Sequence, residues 1–432
     1  MPEQKKGFIF VHKHERLMGA DDRLAIGVGV GELVSVACEV GRGMARMDRL
    51  QPSWPKQLWI DRDVLESPVT AHVRRALPQV PVEIVEGPPP LAAPDTQAAR
   101  MTVSKKHLYL TSQQGRFIRP CPGASSRRDD GQLCCGYTIV DVVSNCNYDC
   151  TYCYLQSYIN TPYLTVYANI ERLFDELSAL LHAHAGERVR IGSGEFSDSL
   201  SLEPLTGFAK LLVPFLQQFP NVLFELKTKS NLVDHLLDLE PQGRVMVSWS
   251  LSPQAVVRRE EHKTASLTAR LQAAQRCRRA GYQIGLHFDP LLHYPGWQAD
   301  YEGLVDEVFT YLDPDEITTL SMGSLRFAPA LKPVVRSRFP KSRIMAAELF
   351  PGADGKVRYF KPLRIEMYRH MIACLRRYLD PERVYLCMES QDVWQQVFGH
   401  APACNLDVER RIQGVDLGAL QPALIPLSRL LT

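Results

Sequence analysis

From about residue 137 the sequence switches repeatedly between two hydrophobic periods. Period-two or continuous apolar runs at 137–143, 189–195, 221–229, 244–251, 283–289 and 316–322 predict strands. Between them lie helical patterns. The run from Asn169 to Leu181 repeats apolar residues at three and four, as do Leu205 to Phe219 and Leu267 to Ala280, where Gly281 supplies a stop. Parallel neighbours cannot be joined by a hairpin, so six strand–helix units in series demand a parallel sheet with its helices outside. The predicted fold is α/β, a partial (β/α)6 TIM-like barrel. In barrels of this kind chemistry sits at the C-terminal ends of the strands.

The run Cys146-Asn-Tyr-Asp-Cys150-Thr-Tyr-Cys153 falls just after the first predicted strand, at such an end. Three thiolates at this spacing can converge on three corners of a cubane [4Fe-4S] cluster, which ordinarily takes four cysteines. The fourth iron is then open, as the fourth position is in a catalytic zinc site. An open iron can chelate the amino and carboxylate groups of S-adenosylmethionine and pass an electron to its sulfonium. The product is a 5′-deoxyadenosyl radical that abstracts hydrogen from unactivated carbon. A zinc site or buried free thiols are the bland alternatives. Zinc would want a second ligand pair, and no C-x2-C or H-x3-H follows at zinc-finger distance.

The rest of the chain sets weaker bounds. With 432 residues, 45% hydrophobic and 23% charged, it is long enough for two or three globular units. A net charge of +2 makes no global case for nucleic acid or anionic membrane. No apolar run approaches a membrane span and the first residues do not read as a signal peptide, so a cytoplasmic protein with no membrane partner is expected. Eleven cysteines, an odd number, fit a reducing compartment. Four segments are predicted: a weakly patterned extension over 1–54, a small N-terminal α/β unit over 55–130, the barrel over 131–327 and a C-terminal extension over 328–432. The run from Leu24 to Val34 reads as a short strand pair, without the glycine spacing of a dinucleotide site. In the small unit, strands at 57–61 and 80–85 flank a helix at 68–77, and a proline-rich linker follows at 87–94. In the extension, a helix is predicted from about Pro362 to Leu379 and a strand at 384–387.

The run Cys150-Thr-Tyr-Cys-Tyr-Leu-Gln156 resembles the cluster loop of spore photoproduct lyases, radical S-adenosylmethionine enzymes that split a methylene-bridged thymine dimer in DNA. The resemblance extends in order over about 56–390. It includes Leu58 to Pro68, Thr228 to Leu237, Ala280 to Gly285, Gly296-Trp297, Arg326-Phe327, Lys332 and Phe339-Pro-Lys341. It implies that Cys146, Cys150 and Cys153 hold the cluster. Lys229 would pair with the methionyl carboxylate, and Ser250 and Ser197 would contact the same moiety. Tyr152 and Tyr154 match two tyrosines implicated in a radical relay. An electron donor such as flavodoxin or ferredoxin and damaged DNA are the implied partners.

Two departures stand out. Where the family carries its hydrogen-donor cysteine, Gly192-Ser-Gly-Glu-Phe-Ser-Asp198 places Glu195. A carboxylate cannot return a hydrogen atom to a carbon radical as a thiol does. Gly194-Glu195 instead resembles the Gly-Gly-Glu-like motif whose end binds the ammonium of S-adenosylmethionine. The family's basic, aromatic DNA hairpin corresponds to Glu348 to Tyr359, where only Lys356, Arg358 and Tyr359 keep its character. Arg326, Lys332, Arg336, Arg338, Lys341 and Arg343 remain as candidates to grip phosphates, with a solvated helix face as the alternative. Cys121, Cys134, Cys135, Cys387 and Cys404 could meet as a second metal site or a substitute hydrogen donor, with buried structural thiols as the alternative. The expected activity is therefore that of a radical S-adenosylmethionine enzyme, with lyase action and DNA repair as the leading substrate reading. A radical enzyme acting on a protein, peptide or metabolite, and a non-catalytic iron–sulfur or zinc protein, are the alternatives.

Overall fold

A computed structural model of the chain describes residues 54–89, 94–121, 131–161 and 163–413. The predicted strand pair at 24–34 and nearly all of the N-terminal extension lie outside the described residues. The central sheet contains strands β1 (Thr138–Val140), β2 (Val189–Ser193), β3 (Val222–Thr228), β4 (Val245–Ser250), β5 (Gln283–Leu291), β6 (Ile317–Ser324) and β7 (Val384–Leu386). They are parallel and lie side by side in chain order, and the sheet curls into a half-barrel. Ile118–Pro120 pairs antiparallel with β1 and makes an eighth strand at that edge.

All six predicted barrel strands are present, but six strand–helix units are not. The connection from β3 to β4 holds only a single 3₁₀ turn, Asp234–Leu236, and β7 lengthens the sheet from beyond the sixth strand. The first strand is also shorter than 137–143. The chain leaves the sheet after Val140, and Val143–Ser144 joins a second sheet. That five-stranded sheet also contains Gln57–Asp61, Val82–Val85, His107–Thr111 and Leu164–Tyr167.

The helices follow from their apolar faces. The helix Ile170–Ala183 buries Ile170, Leu173, Phe174, Leu177 and Leu181, and Phe174 stacks on Phe215 with ring centroids 4.3 Å apart. Each such side chain contributes about 1.5–3 kcal/mol on burial. The helix predicted over Leu205 to Phe219 is broken at Gly207, where φ is +61°. A Cβ there would lie 3.1 Å from the His72 ring, which reaches in from the N-terminal unit. Beyond the barrel, Arg326–Phe327, Leu349–Pro351 and Val357–Tyr359 form a small antiparallel sheet. The helix Lys361–Leu375 follows.

Candidate functional site

The cysteine loop is fixed by polar side chains at both ends. Asn145 takes a left-handed conformation with φ 75°, which asparagine tolerates better than most residues. Its Oδ1 accepts from the Cys146 N–H at 2.8 Å, and its Nδ2 donates to Ser104 at 3.1 Å. Within the loop, Asp149–Cys150 pairs antiparallel with Glu261–His262. At the far end Gln156, fully buried, donates to the carbonyls of Cys150 at 3.1 Å and Thr151 at 2.9 Å. Asn145 and Gln156 flank the motif in the sequence as polar residues in an apolar context, a signal that the motif itself overshadowed.

The three thiols are close enough to raise one another's pKa. Burial is the main cause in each case. It pushes Cys146 up to about 12, with Asp198 and Cys153 adding to it and Lys105 opposing. Cys150 is raised well above its ordinary value by burial, against the pull of Lys229, and Cys153 is raised against Lys105 and Lys229. Among the described residues no group of three His, Cys, Asp or Glu side chains stands ready to hold a metal ion. The donor set nonetheless fits a cluster. It offers three soft thiols on one short loop, with two ammonium groups placed to favour their anionic forms.

Around the loop stand the ends of the next three strands. After β2, Gly194 has φ +102°, and a Cβ there would lie 2.7 Å from the Lys227 carbonyl oxygen. Glu195 follows, and its Oε1 accepts from the Tyr154 hydroxyl at 2.9 Å. Ser197 is half-buried beside it, its hydroxyl turned to the Asp198 carbonyl at 3.4 Å. Asp198, to which no role was assigned from the sequence, clamps β2 to β3. Its carboxylate accepts from Thr228 Oγ1 at 2.7 Å, from the backbone N–H of Lys229 at 2.6 Å, and from the N–H groups of Leu200 and Ser201. Lys229 therefore leaves β3 in a fixed direction, and its Nζ lies 5.8 Å from the centre of the Tyr152 ring. Ser250, buried at the end of β4, gives its carbonyl to Arg270 Nη1 at 2.9 Å.

The two tyrosines flanking Cys153 go to different carboxylates. The Tyr152 hydroxyl donates to Glu261. Glu261 also accepts from Ser252 at 2.9 Å and pairs with Arg270 at 2.5 Å, both side chains being fully buried. Burial would raise the Glu261 pKa, but Arg270 and Lys229 hold it below the ordinary value.

Deeper in the barrel, Glu225 is buried between Arg190 at 2.7 Å, His287 at 2.7 Å and Ser248 at 2.5 Å. Cys121, Cys134 and Cys135 do meet here. The neighbouring Cys134 thiol and the Arg190 guanidinium hold the Cys135 pKa below its ordinary value against burial. Cys387 accepts from Arg326 at 3.2 Å and is close enough to feel Cys135. Cys404 is exposed beside Asp407 and stands apart.

The basic candidates divide. Arg326 pairs with Asp289 at 3.0 Å, and Arg338 pairs with Asp149 at 2.7 Å and donates to Gln156. Each is mostly buried, so neither is free to meet a phosphate, in contrast to the sequence-based expectation. Arg358 of the hairpin is likewise buried against Asp354, and Tyr359 is buried with its hydroxyl on the His293 N–H at 3.1 Å. Arg336, Lys341 and Arg343 are exposed and Lys332 is half-buried.

Residues 129–358 match the family described as spore photoproduct lyase. The chain is 27% identical over 307 residues to a spore photoproduct lyase of Geobacillus, covering 68% of this chain and 85% of the relative. It is 26% identical over 300 residues to that of Bacillus subtilis, covering 68% and 84%. A solved structure of spore photoproduct lyase complexed with dinucleoside spore photoproduct superposes with a TM-score of 0.67 at 23% identity, covering 78% of this chain and 99% of the other. A variant of that protein with bound AdoMet and dinucleoside spore photoproduct gives 0.66 at 23%, with the same coverage. At that identity the structural match concerns the fold, whereas the family match spans more than half of the sequence: the chain belongs to the spore photoproduct lyase family of the radical S-adenosylmethionine superfamily.

Proposed function

We propose that this chain is a radical S-adenosylmethionine enzyme. The observation that carries the reading is the convergence of Cys146, Cys150 and Cys153 with Glu195 and Lys229 at the C-terminal ends of adjacent strands. The cysteine loop would hold a [4Fe-4S] cluster, which supplies the electron that cleaves S-adenosylmethionine. The protein's part is to bind and orient. Glu195 receives the methionyl ammonium and Lys229 its carboxylate, two charge-assisted contacts of opposite sign on a zwitterion. Ser197 and Ser250 add hydrogen bonds to the same moiety. Asp198 fixes where Lys229 starts. Tyr154, bonded to Glu195, orients that carboxylate, and Tyr152 is held off by Glu261 on the other side of Cys153. A reducing cytoplasm and a low-potential carrier such as flavodoxin or ferredoxin complete the setting.

For the substrate, lyase action on a thymine photoproduct in DNA is the reading that family membership supports. A second reading, a protein, peptide or metabolite as substrate, is favoured by two observations. Glu195 stands where a hydrogen-donating thiol is needed, and the basic groups Arg326, Arg338 and Arg358 are committed to internal carboxylates. Anaerobic reconstitution followed by dithionite and S-adenosylmethionine tests the shared core: 5′-deoxyadenosine and methionine should appear in equal amounts, slowly, without substrate. Deuterium transfer from a labelled candidate into 5′-deoxyadenosine then identifies the substrate. A reconstituted protein that binds no iron, or forms no 5′-deoxyadenosine, overturns the proposal.

A further inference from the structure

Successive residues of a strand point to opposite faces. In the short strand Asp149–Cys150 this places the Cys150 thiol in the core and the Asp149 carboxylate on the other side. On that other side lies a cleft lined by Lys56, Lys105, Lys106, Lys263 and Arg338 around Asp149. Asp149 pairs with Arg338 at 2.7 Å, Lys105 at 3.2 Å and Lys263 at 3.9 Å. One carboxylate cannot neutralise five cations. Lys56, Lys106 and Lys263 are exposed, and Lys56 and Lys106 have no acidic partner among the described residues. Lys105 is buried, and its ammonium donates to the Tyr148 carbonyl inside the loop. The floor of this basic cleft is thus the back of the cysteine loop.

On the reading that the loop holds a [4Fe-4S] cluster, we infer that this cleft is the docking surface for an acidic one-electron carrier. The carrier gives up one electron, the cluster gains one, and no bond is made or broken. A carrier seated on the three exposed lysines would lie against the Asp149 face of the loop, the reverse of the face that carries the Cys150 thiol. A positive patch meeting a negative one also speeds encounter and fixes the docked orientation. Nucleic acid is the other anionic polymer such a cleft could attract. It is disfavoured because a nucleic-acid substrate must reach the strand ends, whereas these cations gather behind Asp149, on the face opposite Cys150.

The test uses the full chain, first without cluster and then reconstituted, with flavodoxin as the probe. Apo-protein should bind flavodoxin with an affinity that falls with salt. Reversing Lys56→Glu, Lys106→Glu and Lys263→Glu together should weaken that binding at least tenfold at low salt, read by flavin fluorescence. In the reconstituted triple variant, 5′-deoxyadenosine formation with dithionite should match the wild type, while formation with reduced flavodoxin should fall. Unchanged flavodoxin affinity overturns the inference. So does loss of dithionite-driven turnover in the variant, which would assign the lysines to the fold, and so does selective loss of oligonucleotide binding. A wild type that binds flavodoxin through these lysines but takes up no iron overturns the cluster reading and leaves the docking surface standing.

Discussion

The two halves of the barrel rim differ in how closely they keep to the family. On the half formed by the cysteine loop and the ends of β2, β3 and β4 stand the residues the proposed cofactor site would use, three thiols, Glu195 and Lys229, with Glu195 itself standing where the family carries a cysteine. On the half formed by the hairpin 349–359 and the segment from Arg326 onward, three of the basic side chains are committed internally, while Arg336, Lys341 and Arg343 stay exposed. Arg326, Arg338 and Arg358 each face an internal carboxylate. An ion pair inside a low-dielectric interior holds a guanidinium in place, whereas binding to phosphate needs a side chain free to reach outward. On the proposed reading, the cofactor half is kept and the substrate half is altered in part. A common radical-generating step with a changed substrate would leave that pattern.

The sharpest way to break this contrast is to remove the kept half. Replacing Cys146, Cys150 and Cys153 together by alanine should abolish both iron uptake and the visible charge-transfer absorbance of the reconstituted protein. Full iron content in that triple variant would move the cluster elsewhere, and the thiol group at Cys121, Cys134 and Cys135 would be the next place to look.

A second test concerns the buried pair that anchors Tyr152. Arg270→Met leaves the Glu261 carboxylate unpaired and buried, and should cost about 3–5 kcal/mol of stability in urea unfolding. The pH dependence follows from the sign of the shift. The folded-state pKa of Glu261 is depressed, so its stabilisation is full above the unfolded value of about 4.3 and is lost as pH falls through the folded value. Stability of the wild type should drop more steeply below about pH 4 than that of Glu261→Gln. Parallel acid curves for the two would mean that the pair carries no linked proton.

A third test returns to the cofactor. Glu195→Gln and Lys229→Ala each remove one charge-assisted contact, worth about 1.5–3 kcal/mol, so each should weaken S-adenosylmethionine binding roughly 10- to 100-fold in equilibrium dialysis. Asp198→Asn should weaken it less, because Asp198 acts only by setting where Lys229 begins. Equal affinity in all three variants would show that the methionyl end lies elsewhere on the rim.

The sequence made some of this legible and hid the rest for definite reasons. The six barrel strands were readable because each is a run of apolar residues bounded by turn signals. The cysteine loop was readable because its spacing is local. What escaped depended on residues distant in the chain. The break at Gly207 is enforced by His72, and nothing in the 205–219 pattern announces it. The missing helix between β3 and β4 was masked by a leucine-rich run, Leu232 to Leu239, that packs as a turn. Asp198 read as one polar residue among several, because its hydrogen bonds to Thr228 and Lys229 exist only once β2 and β3 are side by side. The orientation of Arg326, Arg338 and Arg358 was hidden for the same reason. A cation's partner is chosen by tertiary structure, and a basic run looks identical whether its side chains face water or an aspartate.

The smallest expected effect is also the one that decides whether the substrate half still meets DNA. With Arg326 and Arg338 internal, Lys332, Arg336, Lys341 and Arg343 are the candidates left in this stretch for gripping phosphates. Each phosphate neutralised on duplex DNA contributes about −0.9 to the slope of log affinity against log salt. Four contacts would give a slope of about −3.6, and neutralising all four residues to glutamine should flatten it towards zero. Arg326→Gln and Arg338→Gln should lower stability and leave the slope alone, because those groups already have carboxylate partners. The measurement is fluorescence anisotropy of an ultraviolet-irradiated duplex between low and moderate salt. A wild-type slope indistinguishable from zero would separate this chain from a duplex-binding role. A steep slope that depends on Arg326 and Arg338 would show instead that those ion pairs open on binding, and that the two halves of the rim are more alike than their resting structure implies.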